Sequence, residues 1–292
     1  MTNNLVDYFE GHHAITIPSW WPQGRSLLLA LLSAREAAKD ALGSVPSSVL
    51  STEPTFGLLL HLSDRVYEYV AASIVCFATA NGATAEVAAR VAIESSVNIR
   101  FILGGDRNSL ALAWLRHYVI EDAKQINQWE KLLPSMSIEE RKEHEPSINT
   151  RRRLNQIRSN FLTQSEKEFG ALAAIDLTAE WPRSIAQRFA PIGEAAAYRT
   201  AYARLSSQTH ADAEDTISYI MATCLGDNSL LERMAEETRA FSEFLLAYGA
   251  YFYLLALKKL CETYRTSIPA ELDSGTQQML SHMREISTTW QW

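Results

Sequence analysis

Residues 84–103 read TAEVAARVAIESSVNIRFIL and run into Gly104-Gly105. Apolar residues return every third or fourth position, which is the period of a helix with one buried face. Thr84 stands where an N-cap hydroxyl is expected, and the glycine pair supplies the left-handed stop common at helix ends. With both ends marked and no alternating run inside, the segment is a helix, and it sets the class of the fold.

The same signals repeat outward. Arg25–Leu42 is a leucine- and alanine-rich helix before Gly43, and Pro54 opens a second that stops near Asn81-Gly82, proline being tolerated in a first turn where its missing N–H was unpaired anyway. A helix from Asn108 ends before Pro134, and Ser137-Ile138-Glu139-Glu140 is a capping box that starts a long, charged one. Trp181-Pro182 and Pro191 introduce shorter helices, the second reading IGEAAAYRTAYARLSSQTH. Ser229–Glu232 forms another box and starts a helix to about Arg265, followed by GTQQMLSHMREI. Strand patterns and hairpin dipeptides are scarce. The expectation is an all-α bundle of about eight to ten helices. It would be one domain over residues 1–292, with its core in 54–265 and with 1–53 and 266–292 peripheral.

With 292 residues and 47% hydrophobic content, the chain has the material for a large core. Cys76, Cys224 and Cys261 form no CxxC pair and sit in apolar stretches, so they read as reduced core residues. The start, MTNNLVDYFEGHHAITIP, has no basic lead into an apolar run, which argues against a signal or transit peptide and for the cytoplasm. FLLAYGAYFYLLAL at 244–257 falls short of the roughly 20 apolar residues a membrane span needs and is closed by Glu243 and Lys258, so a buried helix is expected and no membrane partner. A net charge of −7 disfavours a general nucleic-acid coat but permits a local phosphate site.

Two polar stripes interrupt this apolar pattern. Arg90, Glu94 and Asn98 lie four apart, each step turning about 40° around a helix, among Val91, Ile93, Val97, Phe101 and Ile102. They read either as an ion pair ordering the bundle interior or as part of a site. Tyr198, Tyr202, Ser206 and His210 form the second. It is either an inter-helix seam with satisfied polar tips or a row of donors and acceptors, with His210 able to exchange a proton near neutrality.

Arg204 and His210, six apart, resemble the R-x(4–6)-H signature of the helical nuclease superfamily named for higher-eukaryote and prokaryote nucleotide binding. The resemblance implies an arginine that steadies the scissile phosphate and a histidine that assists attack by the ribose 2′-hydroxyl. The polar residue usual after the arginine is Leu205 here. On a regular helix the two side chains point about 120° apart, so they converge only if the helix ends or distorts near Ser206 or Ser207. For metals, His210, Asp212, Glu214 and Asp215 read foremost as an acidic helix start. The Glu10-x-x-His13 pair stands in a segment read as a loop. No metal and no cofactor are expected. Gly-rich phosphate loops, G-x-S-x-G and Cys–His arrangements are not seen. Arg151-Arg152-Arg153 with Arg158, beside Asn155, Asn160 and Phe161, is a candidate phosphate patch or a solvated face.

Asp64-Arg65-x-Tyr67-Glu68, Arg90-x-x-x-Glu94-x-x-x-Asn98, and Tyr198 and Tyr202 with Ser206 and His210 resemble a bacterial all-helical family, the domain of unknown function numbered fifty-six seventy-seven, over about residues 56–225. That resemblance implies that the two stripes face each other across a shared pocket. Adjacency also satisfies buried polar groups that would otherwise cost about 1–3 kcal/mol each. The leading expectation is a site acting on RNA or a nucleotide, as in a metal-independent ribonuclease of a toxin or phage-defence type. In it Arg90, Glu94, Tyr202 and His210 would be catalytic, and Asn98, Tyr198, Arg204 and Ser206 would bind substrate. The alternative is a non-catalytic interaction module with structural stripes, docking a partner through Trp290 and Trp292. A homodimer or a protein partner is compatible with either.

Overall fold

Gly249 sits where a side chain would collide with a neighbouring helix: a Cβ there would lie 3.3 Å from the Ala89 carbonyl oxygen. That close approach joins the two central helices of a computed structural model that describes residues 2–172, 175–202, 220–221, 223–224 and 228–290. The described helices are α1 (Thr2–His13), α2 (Gly24–Gly43), α3 (Ser47–Thr52), α4 (Pro54–Ala78), α5 (Gly82–Gly104), α6 (Arg107–Glu130), α7 (Ile138–Leu172), α8 (Ala186–Phe189), α9 (Ala195–Ala197), α10 (Asn228–Thr263) and α11 (Ala270–Trp290). Among the described residues there is no strand, so the protein is all-α.

The chain forms two compact units. One comprises Met1–Leu50, Phe56–Gly104 and Ser184–Trp292; the other comprises Ser51–Thr55 and Gly105–Arg183. The boundaries fall in the Ser- and Pro-containing stretch around residues 50–56, between Gly104 and Gly105, and after Arg183.

In the first unit α10 is the axis. Its apolar run is buried on nearly every side, from Phe241 through Leu245, Phe252 and Leu257 to Leu260, as α5, α2 and α11 pack around it. By length and composition it could cross a membrane, yet most of that window is buried inside the unit. Helices α2 and α11, from the segments the sequence reading set at the periphery, supply fully buried Leu28, Leu31, Leu272 and Met279. Several polar groups taken into this core are answered. Glu243 accepts from Trp21 Nε1 at 2.7 Å and contacts His282 Nε2 at 2.8 Å. Ser242 donates to Glu86 at 2.6 Å. Such pairing is what buried polar atoms require.

Several local expectations change. Helix α5 starts at Gly82, and Thr84 donates its N–H to Asn81 Oδ1 at 3.3 Å, so Asn81 is the cap and Thr84 lies inside the first turn. Residues 2–13, including Glu10 and His13, are helical, not a loop. Of the cysteines Cys261 is buried, Cys76 is half-buried and Cys224 is exposed, because an apolar stretch does not say which face of a helix looks inward.

In the second unit, Asp106 caps α6 by accepting from the Ser109 N–H. The Ser137/Glu140 box opens α7 reciprocally, at 2.8 and 3.2 Å. The two helices run antiparallel: Trp129 meets His144, Asp122 meets Arg151, and Arg116 meets Glu166.

Candidate functional site

Helix α5 turns its polar stripe toward the segment that follows α8. Arg90 Nε donates to Glu94 Oε1 at 3.2 Å and to the Tyr202 hydroxyl at 3.4 Å, while that hydroxyl itself donates to Glu94 Oε1. The Arg90 guanidinium carbon lies 5.4 Å from the Tyr202 ring centre. Two segments more than a hundred residues apart in sequence therefore close a three-membered polar cluster. Tyr202 is only 3% exposed, whereas the Arg90 and Glu94 side chains are 22% and 34% exposed. The tyrosine is the buried wall, and the ion pair is the part a solute can reach.

The second stripe is not a regular helix where it is described. Tyr198–Tyr202 is a single π-helical turn, a wider winding that often marks functional positions. It stacks the Tyr198 and Tyr202 rings at 5.7 Å and 26°. Phe189 at the end of α8 contacts both rings, at 5.6 and 5.5 Å. On the far side of this segment Arg100 donates to Glu194 at 3.0 Å and to the Ile192 carbonyl at 3.4 Å. Residues 185–202 are thus pinned to α5 at two points, Glu94 and Arg100.

Electrostatics follow from burial. Burial pushes the Tyr202 hydroxyl well above the ordinary tyrosine range, and its bond to Glu94 adds to this, so it stays protonated and donates. Burial pulls on Arg90 in the opposite sense, but its bonds to Tyr202 and Glu94 outweigh that and hold the guanidinium firmly charged. A second cation, Arg188 of α8, feels the charge of Glu94 and the Tyr202 hydroxyl, and burial lowers its pKa despite them. With Arg90, Arg188 and one carboxylate, the cluster carries a surplus positive charge. The sequence reading missed Arg188, which stands in the short segment IAQRFA outside both polar stripes.

Of the expected site residues, Arg90, Glu94, Tyr202 and Tyr198 come together. Asn98 lies one turn further along α5, half-buried, and among the described residues its Oδ1 has no hydrogen-bond partner. Arg204, Ser206 and His210 lie outside the described residues, as do Asp212, Glu214 and Asp215. Among the described residues no three His, Cys, Asp or Glu side chains are grouped for a metal. The 64–68 motif assembles elsewhere: Arg35 lies 3.7 Å over the Tyr67 ring and 3.7 Å from Asp64, and Arg65 pairs with Glu68.

The basic patch of α7 is largely spent internally. Arg151 and Arg158 reach Asp122 at 2.7 and 3.5 Å, and Arg152 reaches Glu130 at 2.6 Å. Burial pushes Asp122 up, but bonds from Asn155 and Arg151 and the charge of Arg158 outweigh it and hold the carboxyl below the usual range.

A family model described as a family of unknown function, DUF5677, matches residues 56–228. The chain belongs to the DUF5677 family. The matched span holds most of α4, all of α5 and the segment carrying Arg188, Tyr198 and Tyr202, so the cluster lies inside it. No curated protein and no solved structure matches the chain.

Proposed function

We propose that the Arg90–Glu94–Tyr202 cluster, completed by His210, binds the phosphate of an RNA or nucleotide and cleaves RNA without a metal, as in a toxin or phage-defence ribonuclease. The observation that carries this reading is a reachable arginine–carboxylate pair backed by a buried tyrosine hydroxyl in a π turn. Arg90 holds the phosphate through its fork of donors. Tyr202, which stays protonated, donates to Glu94 and so positions the reachable Arg90–Glu94 pair against the substrate. Glu94 orients Arg90 or fixes the histidine tautomer. His210, eight residues after Tyr202, takes the proton of the ribose 2′-hydroxyl. The oxygen forms a bond to phosphorus, the bond to the 5′-oxygen breaks, and that oxygen takes a proton from solvent water as it leaves, giving a 2′,3′-cyclic phosphate. The weak R-x(4–6)-H similarity at Arg204 and His210 supports the same chemistry.

The test is cleavage of labelled RNA in the presence of a chelator. Wild-type protein should cut, and Arg90→Ala and His210→Ala should each lower the rate by about a hundredfold or more. A wild type that cuts no RNA, or variants with full activity, would overturn the reading.

A second reading, a non-catalytic interaction module, is favoured by one observation: Arg90, Glu94 and Tyr202 satisfy one another without any ligand. Thermal unfolding separates the two. Structural residues lose several degrees on Arg90→Ala or Glu94→Ala, whereas groups kept for function are neutral or stabilising when removed.

A further inference from the structure

We propose that a second cavity in the first unit, bounded by α1, α2 and α4, binds a mononucleotide: a flat heteroaromatic ring carrying a phosphate. The cavity has a volume of about 740 Å³, within the roughly 300–1,000 Å³ range of small-molecule sites. It shares no lining residue with the Arg90 cluster, so the proposal stands independently of the reading above.

The walls have the shape of a slot for a ring. On α1, Tyr8 and His12 stack nearly parallel, 5.9 Å apart at 17°. Tyr8 is 71% exposed, an unusual position for a tyrosine with no core to cover. Across the cavity α4 presents Ala71 and Ala72, small residues that leave the space beside those rings open. A planar base sandwiched there would gain stacking on a π-face without displacing any side chain.

The charge at the mouth selects the rest of the ligand. Two carboxylates line it, and each is already matched: Glu36 by Arg35 at 2.6 Å and Glu68 by Arg65. Lys39, also lining the cavity, is exposed and makes no ion pair among the described residues. Arg35 is held over the Tyr67 ring and keeps a buried Nε with no hydrogen-bond partner among the described residues. His13 adds an imidazole that burial, and His12 beside it, keep below the ordinary histidine range, so near neutral pH it offers a hydrogen bond more than a charge. An uncommitted ammonium above a carboxylate-balanced rim favours an anion at one end of the slot. Phosphate fits the lysine, and the amino or ribose hydroxyl groups of a nucleoside fit Glu36 and Glu68.

The experiment is isothermal titration of the full chain with AMP and GMP, with adenosine and inorganic phosphate as separate probes. One of the two nucleotides should bind, and adenosine and phosphate should each bind at least tenfold more weakly than that nucleotide. Lys39→Ala, a surface change that leaves folding intact, should weaken binding about tenfold. Ala72→Trp, which fills the slot from an exposed position, should abolish it. Failure of both nucleotides to bind overturns the proposal. So does binding unmoved by Ala72→Trp, which would place the nucleotide outside this cavity. Adenosine binding as tightly as AMP would overturn the phosphate half of it.

Discussion

Removing one oxygen from Tyr202 is the sharpest test of the cluster. In Tyr202→Phe the ring remains, and with it the contacts to Phe189 at 5.5 Å and Tyr198 at 5.7 Å, so no cavity opens. What is lost is one hydrogen bond to a carboxylate, and such bonds to charged groups contribute about 1.5–3 kcal/mol. Glu94 is 34% exposed, so water replaces part of the lost donor. The expected destabilisation is then about 1–2 kcal/mol, around the lower end of that range. Glu94→Gln keeps an acceptor but removes the charge and the partly exposed pair with Arg90, itself a contribution of about 1 kcal/mol or less. Because the two side chains touch, their effects should not add. Urea unfolding of the wild type, both single variants and the double variant, followed by circular dichroism, should give a coupling of about 1 kcal/mol. A coupling below about 0.3 kcal/mol would show that the hydroxyl and the carboxylate do not meet, and with it the shared wall of the site would fall.

Three further outcomes follow from other contacts. Asp122 has a folded-state pKa below its ordinary value, so its contribution to stability is present above the unfolded pKa of about 3.9 and is lost as pH falls through the folded value. Asp122→Asn should therefore be less stable than wild type at neutral pH by about 1–2 kcal/mol, with the gap closing in acid; a gap that is constant from pH 7 to 2 would refute this. Gly249→Leu should destabilise by about 2 kcal/mol or more, because the added atoms meet the Ala89 backbone, which has nowhere to retreat; an unchanged urea midpoint would contradict the packing. Arg100→Met should release the Glu194 pin, raising amide hydrogen exchange across residues 185–194 while leaving α10 protected, and uniform exchange in both proteins would count against the pin.

The helices were legible because their signals are local. Periodicity, the Ser137 box and the glycine stop at 104–105 each act within a few residues, and α2, α4, α5, α7 and α10 lie within about two residues of where these signals place them. What was illegible depends on partners distant in sequence. Asn81 rather than Thr84 caps α5 because capping is decided by backbone geometry at the turn, and both residue types are competent caps. The π turn at Tyr198–Tyr202 leaves no mark in the residue spacing, which reads the same for a regular helix. Arg188 was invisible for the complementary reason: its importance comes from nearness to Glu94, which no spacing encodes. Whether Arg151, Arg152 and Arg158 of α7 formed a phosphate patch or a solvated face was open while their partners Asp122 and Glu130 of α6 were unseen.

The polar residues of α5 can now be sorted by what answers them. Glu86 is taken into the core and met by Ser242 of α10. Ser96 is fully buried and donates back to the Ala92 carbonyl at 2.7 Å. Arg100 is spent on pinning Glu194. Each of these is met from within the bundle. Arg90 and Glu94 differ: they keep more solvent access, and their shared partner is a tyrosine in a π turn, with Arg188 within electrostatic reach. A stripe kept only for packing would have no reason to open at one turn and gather surplus positive charge there. That departure, not the four-residue spacing itself, is why the search for chemistry belongs at Arg90, Glu94 and Tyr202.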